Sequence, residues 1–269
     1  MNRMKSEWLR GLAGVRGAVL LLTTFSAFAQ AAPSLGLASG FSVLGGSTVT
    51  NTGPSVIIGD VGVSAGTAIV GFPPGTVTGG TIHSADAVAA AAQRDATAAY
   101  VDLAGRACNT VLTGTDLGGL TLTPGVYCFS TSAQLTGTLT LDAQNNPDAV
   151  FIFQIGSTLT TASNASVLMT NGGSACNVYW QLGASGTLGT ATTFAGNIIA
   201  LASVTLKTGA TAAGRLIART GAVTLDANTA GGCSTGVPAN WTGIPTLAPW
   251  GLALLTGLLA LAGGWALKR

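Results

Sequence analysis

Short runs of β-branched and apolar residues recur along most of the chain, alternating with small or polar positions and punctuated by Gly or Asn. Ser55–Gly59, Gly137–Leu141, Val150–Gln154 and Ala202–Leu206 are examples. Such runs, about five residues long and bounded by turn formers, predict many short strands. One stretch breaks the pattern. Residues 84–105 are Ala-rich with apolar positions at helical spacing, so a helix is expected there. Ser84 or Asp86 would serve as its N-cap and Gly105 as its stop. The C-terminal half repeats itself imperfectly, with equivalent runs starting at Thr190, Thr208 and Asp226, 18 residues apart each time. A short fixed period of β-runs and Gly turns is the signature of a β-solenoid, whose coils bury their apolar faces only by stacking.

One four-residue pattern, Thr-(Ala/Gly)-x-(Thr/Asn/Ser), falls before similar strands. It reads Thr161-Ala162-Ser163-Asn164, Thr190-Ala191-Thr192-Thr193, Thr208-Gly209-Ala210-Thr211 and, degenerate, Asp226-Ala227-Asn228-Thr229. Thr52-Gly53-Pro54-Ser55 precedes an N-terminal strand in the same way. The candidate site residues are therefore Thr52, Ser55, Thr161, Asn164, Thr190, Thr193, Thr208, Thr211 and Thr229. Stacked coils would set equivalent residues roughly 4.7–4.9 Å apart. Thr carries one methyl and one hydroxyl on a stiff stem, so such a stack presents a grid able to order water rather than a cleft for a soluble ligand. Residues three apart face opposite sides of a regular strand, so each tetrad must turn a corner.

Composition narrows the classes. Charged residues make up only 7% of the chain and Gly contributes 39 of 269 residues, against about 25% charged in an ordinary soluble domain. The net charge of +2 misleads, because Arg3, Lys5, Arg10, Arg16, Lys268 and Arg269 sit at the ends. Between residues 30 and 246 five basic residues face eight aspartates. No basic stripe exists to neutralise phosphates, and no nucleic-acid partner is expected.

The ends read as targeting segments. Residues 1–29 carry basic residues, an apolar run from Ala18 to Phe28 and Ala27-Phe28-Ala29, the pattern of a secretory signal peptide. The body spans 30–236, and residues 237–243 form a linker. Residues 244–269 combine Ile244-Pro245-Thr246-Leu247, an apolar stretch from Leu252 to Leu267 that would form a transmembrane helix, and Lys268-Arg269. This arrangement resembles the IPTL-type C-terminal sorting signals of Gram-negative bacteria. The resemblance implies an exosortase-like transpeptidase as partner, cleavage near Ile244–Thr246, and export to the cell surface or beyond, with transient anchoring by the helix. Cys108, Cys128, Cys176 and Cys233 are even in number in an exported body, which favours two disulfides. Of the three pairings, Cys108–Cys128 and Cys176–Cys233 are favoured, the first because it is local.

Further blocks carry a second resemblance. Ser55-Val56-Ile57-Ile58-Gly59-Asp60-Val61-Gly62-Val63, Val77-Thr78-Gly79-Gly80, Leu122–Tyr127, Val150–Gln154, Gly196–Ala200 and Gly221–Thr229 are similar, in order, to blocks of the DUF3494 ice-binding proteins. The resemblance runs from about residue 35 to 233. It implies a mainly β fold, a discontinuous triangular right-handed β-solenoid with one long helix alongside. It also implies adsorption to an ice crystal surface through a flat Thr-rich face, giving antifreeze or recrystallisation-inhibiting activity, in a monomer without cofactors. Asp226 and neighbouring Lys207 depart from the Thr pattern.

The catalytic inventory is thin. His83 is the only histidine, so any Ser-His-Asp triad must use it. Glu7 is the only glutamate and lies in the signal peptide, leaving no carboxylate pair for glycoside hydrolysis. No CxxC spacing supports a metal site. The expectation is a protein that is not an enzyme, with a non-catalytic adhesin or matrix component as the alternative.

Overall fold

The computed structural model describes residues 30–233. The expected signal peptide, the last three residues assigned to the body, the expected linker and the sorting segment with its expected transmembrane helix lie outside them. Among the described residues no helix is long and apolar enough to cross a membrane.

The chain winds through three parallel sheets in turn. Phe41–Gly45 enters sheet A, Thr48–Thr52 sheet B, Val56–Ile58 sheet C, and Asp60–Val63 returns to sheet A. Sheets A, B and C hold nine, seven and eight strands among the described residues. Three faces closed by short corners make a triangular solenoid.

The stack is discontinuous. The first coil, 41–58, pairs with the last, 216–231, through Val43–Leu216, Val49–Val223 and Val56–Thr229. The coils formed later in the chain therefore complete the sheets begun at the N-terminus, and the stack joins contacts between its two halves.

Inside, residues alternate inward to fill one narrow core. Equivalent inward positions stack in register: Tyr127 opposes Phe153, which opposes Trp180. The Phe153 and Trp180 rings lie 3.9 Å apart and 8° from parallel, and the Trp180 indole N–H donates to the Ala195 carbonyl at 3.1 Å. Aromatics fit here because these coils are longer. Tyr127, Phe153 and Trp180 are separated by 26 and 27 residues, whereas Trp180, Ile198 and Leu216 are 18 apart.

Helix α1 (Ala87–Ala104) covers the outside of sheet A. Asp86 caps it by accepting from the Ala89 N–H at 2.8 Å, and Gly105 ends it. Its buried side is Ala89, Ala92, Ala96, Ala99 and Leu103, spaced three and four residues apart. Small side chains let the helix approach Leu44, Ile152, Ile199 and Ile217 of the sheet. The middle strands of sheet A are thus buried on both sides, and sheets B and C present open outer faces.

Both disulfides favoured from the sequence are present, Cys108–Cys128 and Cys176–Cys233. The first ties the segment after α1 to a strand of sheet A, and the second joins the end of strand Thr229–Gly231 to the turn before strand Val178–Leu182.

Candidate functional site

The tetrads do turn a corner, between sheets B and C. The second residue takes a left-handed conformation in four of them, Ala191 at φ 55°, Gly209 at 70°, Ala227 at 52° and Gly53 at 81°, whereas in Thr161–Asn164 it is the fourth residue, Asn164, at 58°. Their amides run a ladder along the edge, from Asn164 to the Thr190 carbonyl, Ala191 to Thr208, Gly209 to Asp226 and Ala227 to Thr52, at 2.8–3.2 Å. Thr52 and Asp226 close their strands of sheet B, Thr190 and Thr208 lie two residues past theirs, and Thr193, Thr211 and Thr229 open strands of sheet C. Two exposed rows flank the corner. One contains Ser163, Thr190, Thr208, Asp226 and Thr52. The other contains Thr138, Ser166, Thr193, Thr211, Thr229, Val56 and Thr76, paired in register.

Three sequence-based candidates fall elsewhere. Thr161 is 3% exposed and points inward, its hydroxyl 2.8 Å from the buried Thr192 hydroxyl. The tetrad equivalent to Thr190–Thr193 is Ser163–Ser166, two residues later, because this coil is longer. Asn164 accordingly occupies the left-handed turn position rather than the strand row. Ser55 is fully buried and accepts from the Asn228 N–H at 2.9 Å. Pro54 lengthens the first corner by one residue, so Val56, not Ser55, opposes Thr229. Thr52, Thr190, Thr193, Thr208, Thr211 and Thr229 are all exposed. Asp226 does not interrupt its row, since its carboxylate accepts a hydrogen bond from the Thr208 hydroxyl.

Sheet B holds a row that the tetrads did not reveal. Gln134, Thr160, Thr187, Thr205, Thr224, Thr50 and Val70 are consecutive Cα partners on seven parallel strands. Five adjacent positions are Thr. Each is the centre of an alternating triplet whose flanking residues are buried, as in Val204-Thr205-Leu206 and Val223-Thr224-Leu225. That triplet, repeated before each corner, is the signal that would have found the row. Beside it, Ser185 and Ser203 carry a second hydroxyl row, and these accept from the Ser203 and Ala222 amides at 3.2 Å.

Sheet C is less uniform. The Thr138 and Ser166 hydroxyls bond each other at 2.9 Å, and the Thr78 hydroxyl donates back to the Ile57 carbonyl. Leu168 and Ile58 project from it at 51% and 41% exposure, while Gly231 lies between them and is buried. Bulky residues there flank a run of small ones, Ala195, Ala213 and Gly231, whereas the five central outward positions of sheet B are matched in size.

His83 bridges two partners at the far end of sheet A. Its Nδ1 lies 2.6 Å from the Asp86 carboxylate and its Nε2 2.8 Å from the Thr81 hydroxyl. Ser84 points elsewhere, donating to the Thr67 carbonyl. The Ala89 amide, then His83, holds Asp86 below the usual carboxylate range. The group therefore ties the N-terminus of α1 to the sheet edge. Neither of two shallow, solvent-open concavities includes it. One lies around Val111, Phe129 and Gln181, the other between α1 and Arg219. Among the described residues no cluster of His, Cys, Asp and Glu is placed to hold a metal.

With this geometry the comparisons agree. Residues 43–230 match the model of the ice-binding-like family, and residues 242–269 match the IPTL-CTERM motif. The chain belongs to the ice-binding-like family. It is 53% identical over 252 residues to an ice-binding protein of Nostoc sp. (strain HG1), covering 90% of this chain and 93% of that relative. The crystal structure of an ice-binding protein from an Antarctic biological consortium superposes with a TM-score of 0.73 at 48% identity, over 75% of this chain and 91% of that one. An ice-binding protein from an Arctic yeast, described for its antifreeze activity, superposes at 0.71 with 30% identity, over 77% and 96% of the two chains.

Proposed function

We propose that the protein adsorbs to ice through sheet B and the adjoining B–C corner, and that it does so without catalysis. The observation that carries this reading is the unbroken in-register row Thr50, Thr224, Thr205, Thr187 and Thr160 on the open sheet. Neighbouring strands lie about 4.7–4.9 Å apart and every second residue along a strand about 6.6–6.8 Å. The corner row Thr52, Asp226, Thr208 and Thr190 extends the same lattice sideways. Methyls favour caged water above the surface while hydroxyls anchor it, so a rigid array holds a layer of water that merges with a growing crystal. Rigidity comes from the parallel ladders, the packed core beneath and the Thr161–Thr192 bond inside the corner. Sheet A offers no flat face because α1 lies across its middle strands.

The family membership supports ice as the ligand. Mixed charge at Lys207 and Asp226 sits at the margin of the array, not in the Thr row of sheet B. The motif at 242–269 supports export to the cell surface. Cleavage near Ile244–Thr246 by an exosortase-like enzyme, a body bounded at 30 and 236, and a monomeric state belong to the same reading. Thermal hysteresis of the purified protein tests it. Ice shaping with hysteresis is expected, and no effect on ice growth or recrystallisation would remove the proposal in favour of a plain surface adhesin.

A further inference from the structure

The described residues include five basic side chains, Arg94, Arg106, Lys207, Arg215 and Arg219. Arg106 pairs with Asp102, one helical turn earlier, at 2.6 Å. Arg215 is 4% exposed and donates to the Ser39 carbonyl and the Asn197 side-chain oxygen. Lys207 follows a sheet B strand at the B–C corner. Arg94 and Arg219 remain, and both line one concavity between α1 and the corner from sheet A into sheet B. Among the described residues neither makes an ion pair. Arg94 has no carboxylate at helical spacing, since Ala90, Ala91, Thr97 and Ala98 occupy the positions three and four residues away. Eight aspartates outnumber the basic residues of the same body, so its surface does not attract anions in general.

Arg219 is held in place. Its guanidinium carbon lies 4.3 Å from the centre of the Tyr100 ring, and its Nε donates to the Thr97 hydroxyl at 3.3 Å. Stacking and that one bond fix the plane of the fork and leave its terminal nitrogens to a ligand. The Thr97 hydroxyl keeps its own proton to donate. Gln93 is anchored through its Nε2, which donates to the Ala218 carbonyl at 3.1 Å, while its Oε1 is buried with no hydrogen-bond partner. A buried acceptor without a donor is uncommon, and Gln93 stands in the wall of this same concavity. Ala65 and Ala90 add a small apolar patch. The space measures about 460 Å³ and opens to solvent, a size at which small ligands are held.

We propose that this concavity is a subsite for a uronate unit of an acidic polysaccharide. The planar carboxylate meets the Arg94 and Arg219 forks, the pairing for which arginine geometry is suited. Ring hydroxyls meet Thr97 and Ser64, and one of them, with a small turn of the Gln93 side chain, supplies the donor that its Oε1 lacks. The apolar face of the sugar rests on Ala65 and Ala90. Because the site is shallow, an internal unit of a chain can lie in it with its neighbours in solvent. Ser64 follows strand Asp60–Val63 and Arg219 follows Leu216–Ala218, both of sheet A. The polysaccharide therefore lies on the α1 side of the corner, beside the Thr row of sheet B and not across it, and the proposal stands apart from the ice-binding reading.

The test is calorimetric titration of the full chain with trigalacturonate, galacturonate, galactose and inorganic phosphate. Trigalacturonate should bind saturably, and several-fold more tightly than galactose or phosphate. Arg94→Gln and Arg219→Gln should each weaken it about tenfold, the loss of one charge-assisted bond. Arg94 is exposed, so its replacement leaves the fold intact, which the melting temperature verifies. Arg94→Lys keeps the charge without the fork and should fall between wild type and Arg94→Gln. The proposal is overturned by no saturable binding to the wild-type chain, by equal binding of phosphate or galactose, by binding of galacturonate but not of trigalacturonate, or by undiminished binding to folded Arg94→Gln.

Discussion

Thr187 stands directly opposite Thr205 in sheet B, and each has a further threonine on its other side, Thr160 and Thr224. The relation is set by the 18-residue coil, which returns the chain to the same side-chain orientation each turn. A stack of identical β-branched residues is costly to displace one at a time, because each methyl packs against its neighbours. Its surface is therefore regular before any water arrives.

The corner offers a way to separate stability from activity. Ala191 and Ala227 hold φ values of 55° and 52°, a region that costs a non-Gly residue about 1–2 kcal/mol. Gly209 fills the same place in the coil between them. Ala191→Gly should therefore raise stability by up to about 1 kcal/mol, read from chemical denaturation. It also removes an exposed methyl beside the Thr190 row, so hysteresis should fall modestly while the melting temperature rises.

Much of the fold was legible in the sequence for a physical reason. Where coils are 18 residues long, equivalent residues recur at a fixed interval, and the runs at Thr190, Thr208 and Asp226 expose it. The helix was equally plain, because its buried alanines follow a helical period. Placement failed where coil length changes. The coil before Trp180 takes 27 residues from Phe153, and matching letters there selected Thr161 in place of Ser163. Pro54 displaced Ser55 in the same way. The sheet B row was overlooked because a lone Thr between two apolar residues resembles any strand. Only the register shows that five of them align.

Arg215 should be a strong stability determinant. Arg215→Met leaves the Ser39 and Cys233 carbonyls and the Asn197 oxygen without their donor in a buried place. Bonds to a charged group contribute about 1.5–3 kcal/mol each, and an orphaned buried acceptor costs about 1–3 kcal/mol. A net loss of about 3 kcal/mol is expected from urea unfolding. An unchanged midpoint would show that water replaces the guanidinium.

The disulfides should differ in weight. Cys176–Cys233 closes a separation of 57 residues and Cys108–Cys128 one of 20. Loop entropy makes the longer closure worth about 1 kcal/mol more. Replacing each pair by serine and comparing unfolding midpoints checks this order.

Acid should destabilise the fold. Asp86 is held low by the Ala89 amide and then His83, and Asp142 by the Asn171 side chain and then the Gln144 amide. Burial pushes the Asp116 carboxyl up, but bonds from the Gly118 and Thr136 amides outweigh it. Folded values below the unfolded one mean stabilisation that is complete above about pH 5 and lost as pH falls through the folded values, below about 4. The melting temperature should be level near neutrality and drop in that window. Asp86→Asn keeps an oxygen to cap α1 but removes its share of the slope.

The most direct measurement is hysteresis and ice shaping for Thr205→Tyr beside Ala213→Tyr. Thr205 is central in the sheet B row, and Ala213 is exposed on sheet C. Both lie on the surface, so each should leave stability within about 0.5 kcal/mol, verified by melting temperature. A ring at 205 lifts the ice front off its neighbours, and most of the activity should vanish, while Ala213→Tyr keeps it. Full activity in folded Thr205→Tyr, with loss in Ala213→Tyr, would contradict the account and move the ice-binding face to sheet C.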